Sequence, residues 1–172
     1  MKDIKYIVAD DHAIFRQGIK YSLEGFDHLH CAGEAGDGEE LMEVLNNVTP
    51  DVILMDLKMP GMDGVAATKE VRHQYPEVKI IVLTMYDDEQ YIMHMLDMGA
   101  NAYLVKNTEP AEIAKAISSV IENEYYFSDI VSKTMLKNLV QKRQLPVRFG
   151  KEISLNERET EILKLICREY TT

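Results

Sequence analysis

The chain has 172 residues, of which 46% are hydrophobic and 28% charged, and its formal net charge is −10. This composition is typical of a globular domain with additional segments, and no apolar run approaches the roughly 20 residues that a membrane-spanning helix needs. The negative charge excludes a protein whose whole surface binds nucleic acid, because such surfaces need an excess of lysine and arginine. With no signal-peptide pattern in the first residues, we expect a cytoplasmic protein without membrane contact.

Short runs of β-branched and apolar residues alternate with amphipathic stretches along residues 1–123. The runs predict strands over 4–9, 29–33, 52–55, 79–83 and 102–105. The stretches predict helices over 13–24, 38–46, 64–73, 89–98 and 110–122, with Thr108 expected to cap the last of them. Five such βα units indicate an α/β domain built on a parallel sheet.

The sequence after residue 123 has a different organisation. An aromatic segment, residues 125–127, precedes Ser128, which is expected to cap a helix with apolar residues at helical spacing. Residues 141–150 contain Pro146 and Gly150 and are typical of a linker. A further helix is expected to begin at Asn156. We therefore predict a first domain over 1–123, a linker with a helix over 124–150, and a separate segment over 151–172.

Polar side chains stand at the ends of four predicted strands. Asp10 and Asp11 follow the first strand, Asp56 the third and Lys106 the fifth, while Thr84 follows the last predicted residue of the fourth. In an open parallel sheet, ligands bind at the carboxyl ends of the strands. Carboxylates so close together repel one another without a cation, and oxygen ligands without His or Cys favour Mg²⁺. The pattern predicts a magnesium site at which a carboxylate could attack a phosphoryl group.

Four segments together resemble a known family, the response regulators of the NarL/FixJ type: ADDH at 9–12, LMDLKMPGMDG at 54–64, VLT at 82–84 and GANAYLVK at 99–106. The resemblance spans essentially the whole chain. It implies a flavodoxin-like receiver, a doubly wound five-stranded parallel sheet of order 2-1-3-4-5, followed by a helical linker and an incomplete helical domain. LNERE at 155–159 and ILKLI at 162–166 resemble the opening of the family's LuxR-type helix-turn-helix domain.

Carried over to the matching positions, the resemblance implies that Asp56 accepts a phosphoryl group from the phosphohistidine of a sensor histidine kinase. Asp11, Asp56 and the main-chain carbonyl of Lys58 would ligate Mg²⁺, and Asp10 would hold a metal-bound water. The chain would then be a signalling switch that catalyses its own phosphorylation and dephosphorylation, without other enzymatic activity.

The resemblance also implies how phosphorylation is communicated. Thr84 and Lys106 would bind the phosphoryl oxygens, and Tyr103 would turn inward as Thr84 moves. Phosphorylation would drive dimerisation and control transcription. Because only the opening of the helix-turn-helix domain lies within the 172 residues, we expect DNA binding by the full-length protein and none by this chain alone.

Two other functions use the same residues. A stand-alone receiver would signal through protein contacts alone, but it would not need the segments after residue 123. A metal-dependent phosphatase would usually have an aspartate two residues after the nucleophile, where this chain has Lys58. Individually, Asp11 could be a helix cap, Lys106 a solvated lysine, Tyr103 ordinary packing and His12 a surface residue.

Overall fold

A five-stranded parallel sheet organises the first part of the chain. The strands are β1 (Ile4–Ala9), β2 (Leu29–Ala35), β3 (Val52–Met55), β4 (Lys79–Thr84) and β5 (Ala102–Val105). They pair in the order β2-β1-β3-β4-β5, and every neighbouring pair is parallel. The predicted α/β class, sheet and strand order are confirmed.

A helix follows each strand. These helices are α1 (Ala13–Leu23), α2 (Gly38–Leu45), α3 (Gly64–Gln74), α4 (Glu89–Met98) and α5 (Pro110–Asn123). Their limits agree with the predicted ones to within one residue. The prediction that Thr108 caps α5 is wrong, because Glu109 is the N-cap and Pro110 occupies the first turn.

The strands alternate their side chains between two apolar layers. Tyr6 and Val8 of β1 pack in the layer that contains α1 and α5. Ile7 and Ala9 pack in the opposite layer, with α2 and α3. All four residues of β3 are buried, as expected for a central strand that is covered on both faces. The core therefore covers both faces of the sheet and leaves the strand ends to carry polar groups.

A short segment after α5 adds to the open edge of β5. Tyr126 forms an isolated parallel bridge with Ala102, and its N–H donates to the Asn101 carbonyl at 3.0 Å. The Ser128 hydroxyl donates to the Tyr103 carbonyl at 3.4 Å. The segment therefore adds one backbone bridge and one side-chain hydrogen bond at the edge of β5.

The structure, a computed structural model, describes residues 3–143 and Lys164. The chain divides into two compact units, Met1–Ser128 and Asp129–Thr172. The second unit begins with α6 (Asp129–Arg143), which agrees with the helix predicted after Ser128. The linker predicted over 141–150 begins too early, because residues 141–143 are the end of α6. Residues 144–150 and the helix-turn-helix opening lie outside the described residues, apart from Lys164, which is helical and exposed. Among the described helices, none is long and apolar enough to cross a membrane.

Candidate functional site

The backbone brings the predicted site residues to one edge of the sheet. Asp10 and Asp56 come directly after β1 and β3, and the Asp56 N–H donates to the Ala9 carbonyl at 2.8 Å. Thr84 ends β4, and its carbonyl accepts from the Lys106 N–H at 2.8 Å. The sheet ladder therefore continues through these positions and sets their spacing.

Lys106 joins the two buried carboxylates. Its Nζ lies 2.6 Å from Oδ2 of Asp10 and 2.6 Å from Oδ2 of Asp56. The Lys106 side chain is 6% exposed, and the two carboxylates are similarly buried. The interpretation of Lys106 as a solvated surface lysine is excluded.

The pKa of Lys106 reflects two opposing effects. Burial alone lowers it, but hydrogen bonds to Asp10 and Asp56 outweigh that loss, and the pKa is raised above its ordinary value. Lys106 Nζ also lies 4.6 Å from the ring centroid of Phe15 on α1, which covers it from one side. The lysine is therefore held as a cation among the carboxylates.

Asp11 and His12 complete the cluster at the start of α1. The N-cap of α1 is His12, so Asp11 is not the cap of this helix. His12 Nδ1 lies 2.7 Å from Oδ1 of Asp11 and 3.3 Å from Oδ1 of Asp10. One ligand atom from each of Asp10, Asp11, His12 and Asp56 lies within 4.8 Å of the others. His12 is exposed, as the sequence predicted, but its Nδ1 lies among the carboxylates of a cluster that sequence reasoning treated as oxygen-only.

The backbone after β3 orients Asp56. The Leu57 N–H donates to Asp56 Oδ1 at 2.7 Å, leaving Oδ2 to Lys106. The loop then returns, and the Gly64 N–H donates to the Leu57 carbonyl at 3.0 Å. A Cβ at Gly64 would collide with the main-chain oxygen of Asp56, so this close approach requires glycine.

Thr84 presents a polar group without a hydrogen-bonding partner. The residue is fully buried, and its Oγ1 forms no hydrogen bond with the part of the chain that the structure describes. An unsatisfied buried hydroxyl costs about 1–3 kcal/mol and is expected where a ligand would satisfy it. Thr84 therefore fits a binding role better than a role in strand packing alone.

Tyr103 lies behind this edge in a buried position. Its side chain is fully buried in the centre of β5, and its hydroxyl donates to the Tyr86 carbonyl at 2.7 Å. Burial raises the pKa of the phenol, and the nearby charges of Asp87 and Asp88 raise it further. The contact links β5 to the loop that follows Thr84.

Lys58 lies on the loop after Asp56. Its side chain is exposed, and its Nζ lies 5.8 Å from the Tyr86 ring centroid. The two side chains therefore meet across the loops that follow β3 and β4. The predicted metal-ligating role of the Lys58 carbonyl stays a prediction, as do the predicted roles of the other site residues.

The arrangement is suited to bind a dication and a phosphoryl group together. The three carboxylates supply oxygen ligands of the kind that Mg²⁺ prefers. Lys106 supplies a positive charge, and the unpaired Thr84 hydroxyl supplies a donor for an anionic oxygen. A doubly wound parallel sheet with several carboxylates and a lysine at the C-terminal ends of its strands defines a receiver-type α/β domain.

Comparisons with known proteins give the family. The model of the response regulator receiver domain matches residues 6–118. The chain belongs to the response regulators. The uncharacterized transcriptional regulatory protein YhcZ of Bacillus subtilis is 37% identical over 164 residues, which cover 95% of this chain and 75% of that protein. The oxygen regulatory protein NreC of Staphylococcus epidermidis is 34% identical over 176 residues, covering 97% and 78%.

Solved structures agree with this result. The RcsB response regulator of Salmonella typhimurium is 27% identical with a TM-score of 0.73, covering 99% of this chain and 79% of that one. The isolated receiver domain of RcsB from Salmonella enterica, solved with a beryllium fluoride phosphoryl mimic, is 29% identical with a TM-score of 0.72, covering 77% and 99%. The resemblance to NarL/FixJ-type regulators is confirmed. So is the predicted function of phosphorylation-dependent transcription regulation in a two-component system.

Proposed function

We propose that Asp56 is the phosphoacceptor of this response regulator and that the cluster around it performs the transfer. The contact that carries the proposal is the Lys106 ammonium bound at 2.6 Å to both Asp10 and Asp56. It places a retained cation against Asp56, whose other carboxylate oxygen is oriented by the Leu57 N–H. The unpaired hydroxyl of Thr84 supports the same assignment.

In the proposed reaction, an Asp56 carboxylate oxygen attacks the phosphorus of a phosphohistidine on a sensor histidine kinase. The new O–P bond forms as the N–P bond breaks, and the histidine imidazole leaves with the bonding electron pair. The Lys106 ammonium would then bind one oxygen of the transferred phosphoryl group, and the Thr84 hydroxyl would donate a hydrogen bond to another. The chain would be a self-modifying switch, since hydrolysis of the acyl phosphate at the same site resets it.

The proposed cofactor is Mg²⁺. Asp11, Asp56 and the Lys58 carbonyl would hold it, with Asp10 bound through water. A dication there would supply charge neutralisation for the transferred group. The convergence of three carboxylates with a single lysine supports this, because Lys106 alone offsets only part of their negative charge.

The proposed output depends on Tyr103 and on partners outside the chain. When Thr84 moves toward the phosphoryl group, Tyr103 and its contact with the Tyr86 carbonyl would shift the surface formed by β4, α4 and β5. We propose that this shift promotes dimerisation and, in the full-length protein, DNA binding. The RcsB response regulator, a similar protein, has been solved in complex with DNA.

The division into receiver (1–123), linker (124–150) and helix-turn-helix opening (151–172) is part of this proposal. The matched receiver model, which ends at residue 118, supports the first boundary. Cytoplasmic location remains a prediction.

The test compares the wild-type chain with Asp56→Asn and with Asp97→Asn, a control at an exposed aspartate on α4. Each is incubated with acetyl phosphate and Mg²⁺, and intact mass is recorded. We expect one added phosphate on the wild type and on the control, none on Asp56→Asn, and none in EDTA. Equal labelling of Asp56→Asn would contradict the assignment.

A further inference from the structure

His12 occupies a place in the acidic cluster that the transfer reaction does not use. Its Nδ1 lies within hydrogen-bonding distance of Oδ1 of Asp11 and near Oδ1 of Asp10. The backbone N–H of His12 donates to the same Asp10 oxygen at 2.9 Å, which holds the backbone of His12 beside the cluster. The ring is 69% exposed on its outer side, so nothing in the described structure separates the cluster from solvent there.

His12 and Lys106 approach different oxygens of the cluster. Lys106 contacts Oδ2 of Asp10 and Asp56, whereas His12 contacts Oδ1 of Asp10 and Asp11. An ion among the Oδ1 atoms would therefore be adjacent to the imidazole and would not have to displace the lysine from its oxygens.

The distances match those between neighbouring ligands of one ion. Two ligands bound at about 2.1 Å and at right angles are about 3.0 Å apart. The Nδ1 to Oδ1 distance of 2.7 Å to Asp11, a proposed direct ligand, is close to that value, and Asp10, which is proposed to bind the ion through water, lies 3.3 Å from Nδ1. The imidazole nitrogen thus lies where an additional ligand would lie.

We propose that His12 is a metal-specificity residue, the nitrogen ligand through which this site binds first-row transition-metal dications such as Ni²⁺, Co²⁺ and Mn²⁺ in addition to Mg²⁺. The inference rests on the proposed function, since it concerns the same cluster. Mg²⁺ prefers oxygen ligands and gains little from an imidazole, whereas Ni²⁺ and Co²⁺ bind imidazole strongly. His12 therefore raises the affinity of the site for Ni²⁺ and Co²⁺ and leaves its affinity for Mg²⁺ nearly unchanged.

The test measures Mg²⁺ and Ni²⁺ binding by calorimetry at one pH for the wild-type chain and three variants. His12→Ala removes the ligand, and His94→Ala is a control at an exposed histidine on α4. Asp11→Asn removes a carboxylate of the cluster. For His12→Ala we expect Ni²⁺ affinity to fall by at least about tenfold, the lower end of what loss of even an outer-shell partner costs. Its Mg²⁺ affinity should stay within about twofold, and His94→Ala should match the wild type in both.

A spectroscopic readout reports ligation directly. With ¹⁵N-labelled histidine, pulsed electron paramagnetic resonance of the Mn²⁺-loaded wild type should show a nitrogen coupling that His12→Ala lacks and His94→Ala keeps. An unchanged coupling in His12→Ala would overturn the proposal. Equal loss of Mg²⁺ and Ni²⁺ affinity in His12→Ala would also overturn the proposal, because it would indicate a structural role for His12. Tighter binding of both ions by His12→Ala would overturn it too, because it would indicate that His12 competes with the ion for Asp11.

The same measurements separate this proposal from the proposed function. If the wild type binds no Mg²⁺ and Asp11→Asn changes nothing, the magnesium-dependent switch fails. If Mg²⁺ binds and depends on Asp11 while Ni²⁺ affinity does not depend on His12, only the role of His12 fails.

Discussion

At the scale of single residues, Lys106 is the counter-ion of both buried carboxylates of the site. Two carboxylates with almost no exposure to solvent share its ammonium at 2.6 Å each. Buried charges of like sign are tolerated only when a counter-charge is held beside them. The lysine therefore stabilises the fold, and in the proposed function it also binds the phosphoryl group.

Replacing Lys106 with methionine tests this electrostatic role. We expect the free energy of unfolding in EDTA to fall by about 3–5 kcal/mol, because both carboxylates lose their counter-ion while buried. Adding Mg²⁺ should recover part of the loss by mass action. The measurement is urea unfolding followed by circular dichroism. Lys69→Met, at an exposed lysine on α3, should change stability by less than about 0.5 kcal/mol, and a loss below 1 kcal/mol in Lys106→Met would contradict the expectation.

At the scale of elements, the loop between β3 and α3 sets the position of Asp56. Asp63 caps α3 by accepting from the Ala66 N–H at 2.9 Å. Gly64 begins the helix against the Asp56 main chain. Helix capping and glycine packing therefore act together on the residue that carries the proposed chemistry.

Alanine substitutions at two glycines distinguish the steric requirement for glycine at Gly64 from the general effect of glycine on helix stability. Gly64→Ala should lower stability by about 2 kcal/mol or more and slow phosphorylation, because the new Cβ must displace the Asp56 backbone. Gly18→Ala, in the exposed middle of α1 with open space around it, should raise stability by about 0.5–1 kcal/mol without affecting phosphorylation. Thermal unfolding and acetyl phosphate labelling report both effects. Equal destabilisation by the two variants would contradict the steric argument.

A second link between elements joins α1 to β2 through Glu34. Its carboxylate accepts from Lys20 at 2.9 Å and from Arg16 at 3.2 Å. The hydrogen bond from Lys20, assisted by Arg16, holds the pKa of Glu34 below its ordinary value. Because the pKa of Glu34 is lower in the folded state, its ion pairs with Lys20 and Arg16 stabilise the protein above about pH 4.5. This stabilisation is lost as the pH falls through the folded-state pKa of Glu34.

Glu34→Gln should therefore cost stability near neutral pH and little in acid. Because the side chain is 37% exposed, we expect a difference of about 0.5 kcal/mol at pH 7. That difference should shrink progressively below pH 4.5. Glu43→Gln, at an exposed glutamate of α2, should show no such dependence. Urea unfolding at several pH values provides the measurement, and a difference that grows in acid would reverse the expected sign.

At the scale of the whole molecule, the first compact unit contains all the site residues. It covers Met1–Ser128, both apolar layers and the segment that pairs with β5. Its limit lies a few residues beyond the predicted receiver boundary at 123, because Tyr126 and Ser128 bond to the backbone beside β5.

A fragment of residues 1–128 should therefore fold and accept phosphate. We expect its labelling rate with acetyl phosphate to lie within about twofold of that of the 172-residue chain, because each proposed catalytic group is retained. A fragment of residues 1–123 should be less stable, since it lacks the hydrogen bonds that Tyr126 and Ser128 make beside β5. Intact mass and thermal unfolding distinguish the two, and equal stability would mean that the added pairing contributes nothing.

The sequence by itself determined the α/β class, the helix limits to within one residue, the strand limits to within two, and the candidates Asp10, Asp11, Asp56, Thr84 and Lys106. It could do so because apolar periodicity and strand-end polarity are local properties. Only the tertiary structure decided that His12 joins the carboxylates, because a neighbouring residue in sequence can point in many directions. It also decided the role of Asn101, whose side chain accepts from the Ile80 N–H at 2.9 Å and donates to the Glu124 carbonyl at 2.8 Å. Such contacts join residues more than 20 positions apart, and they depend on how the elements pack.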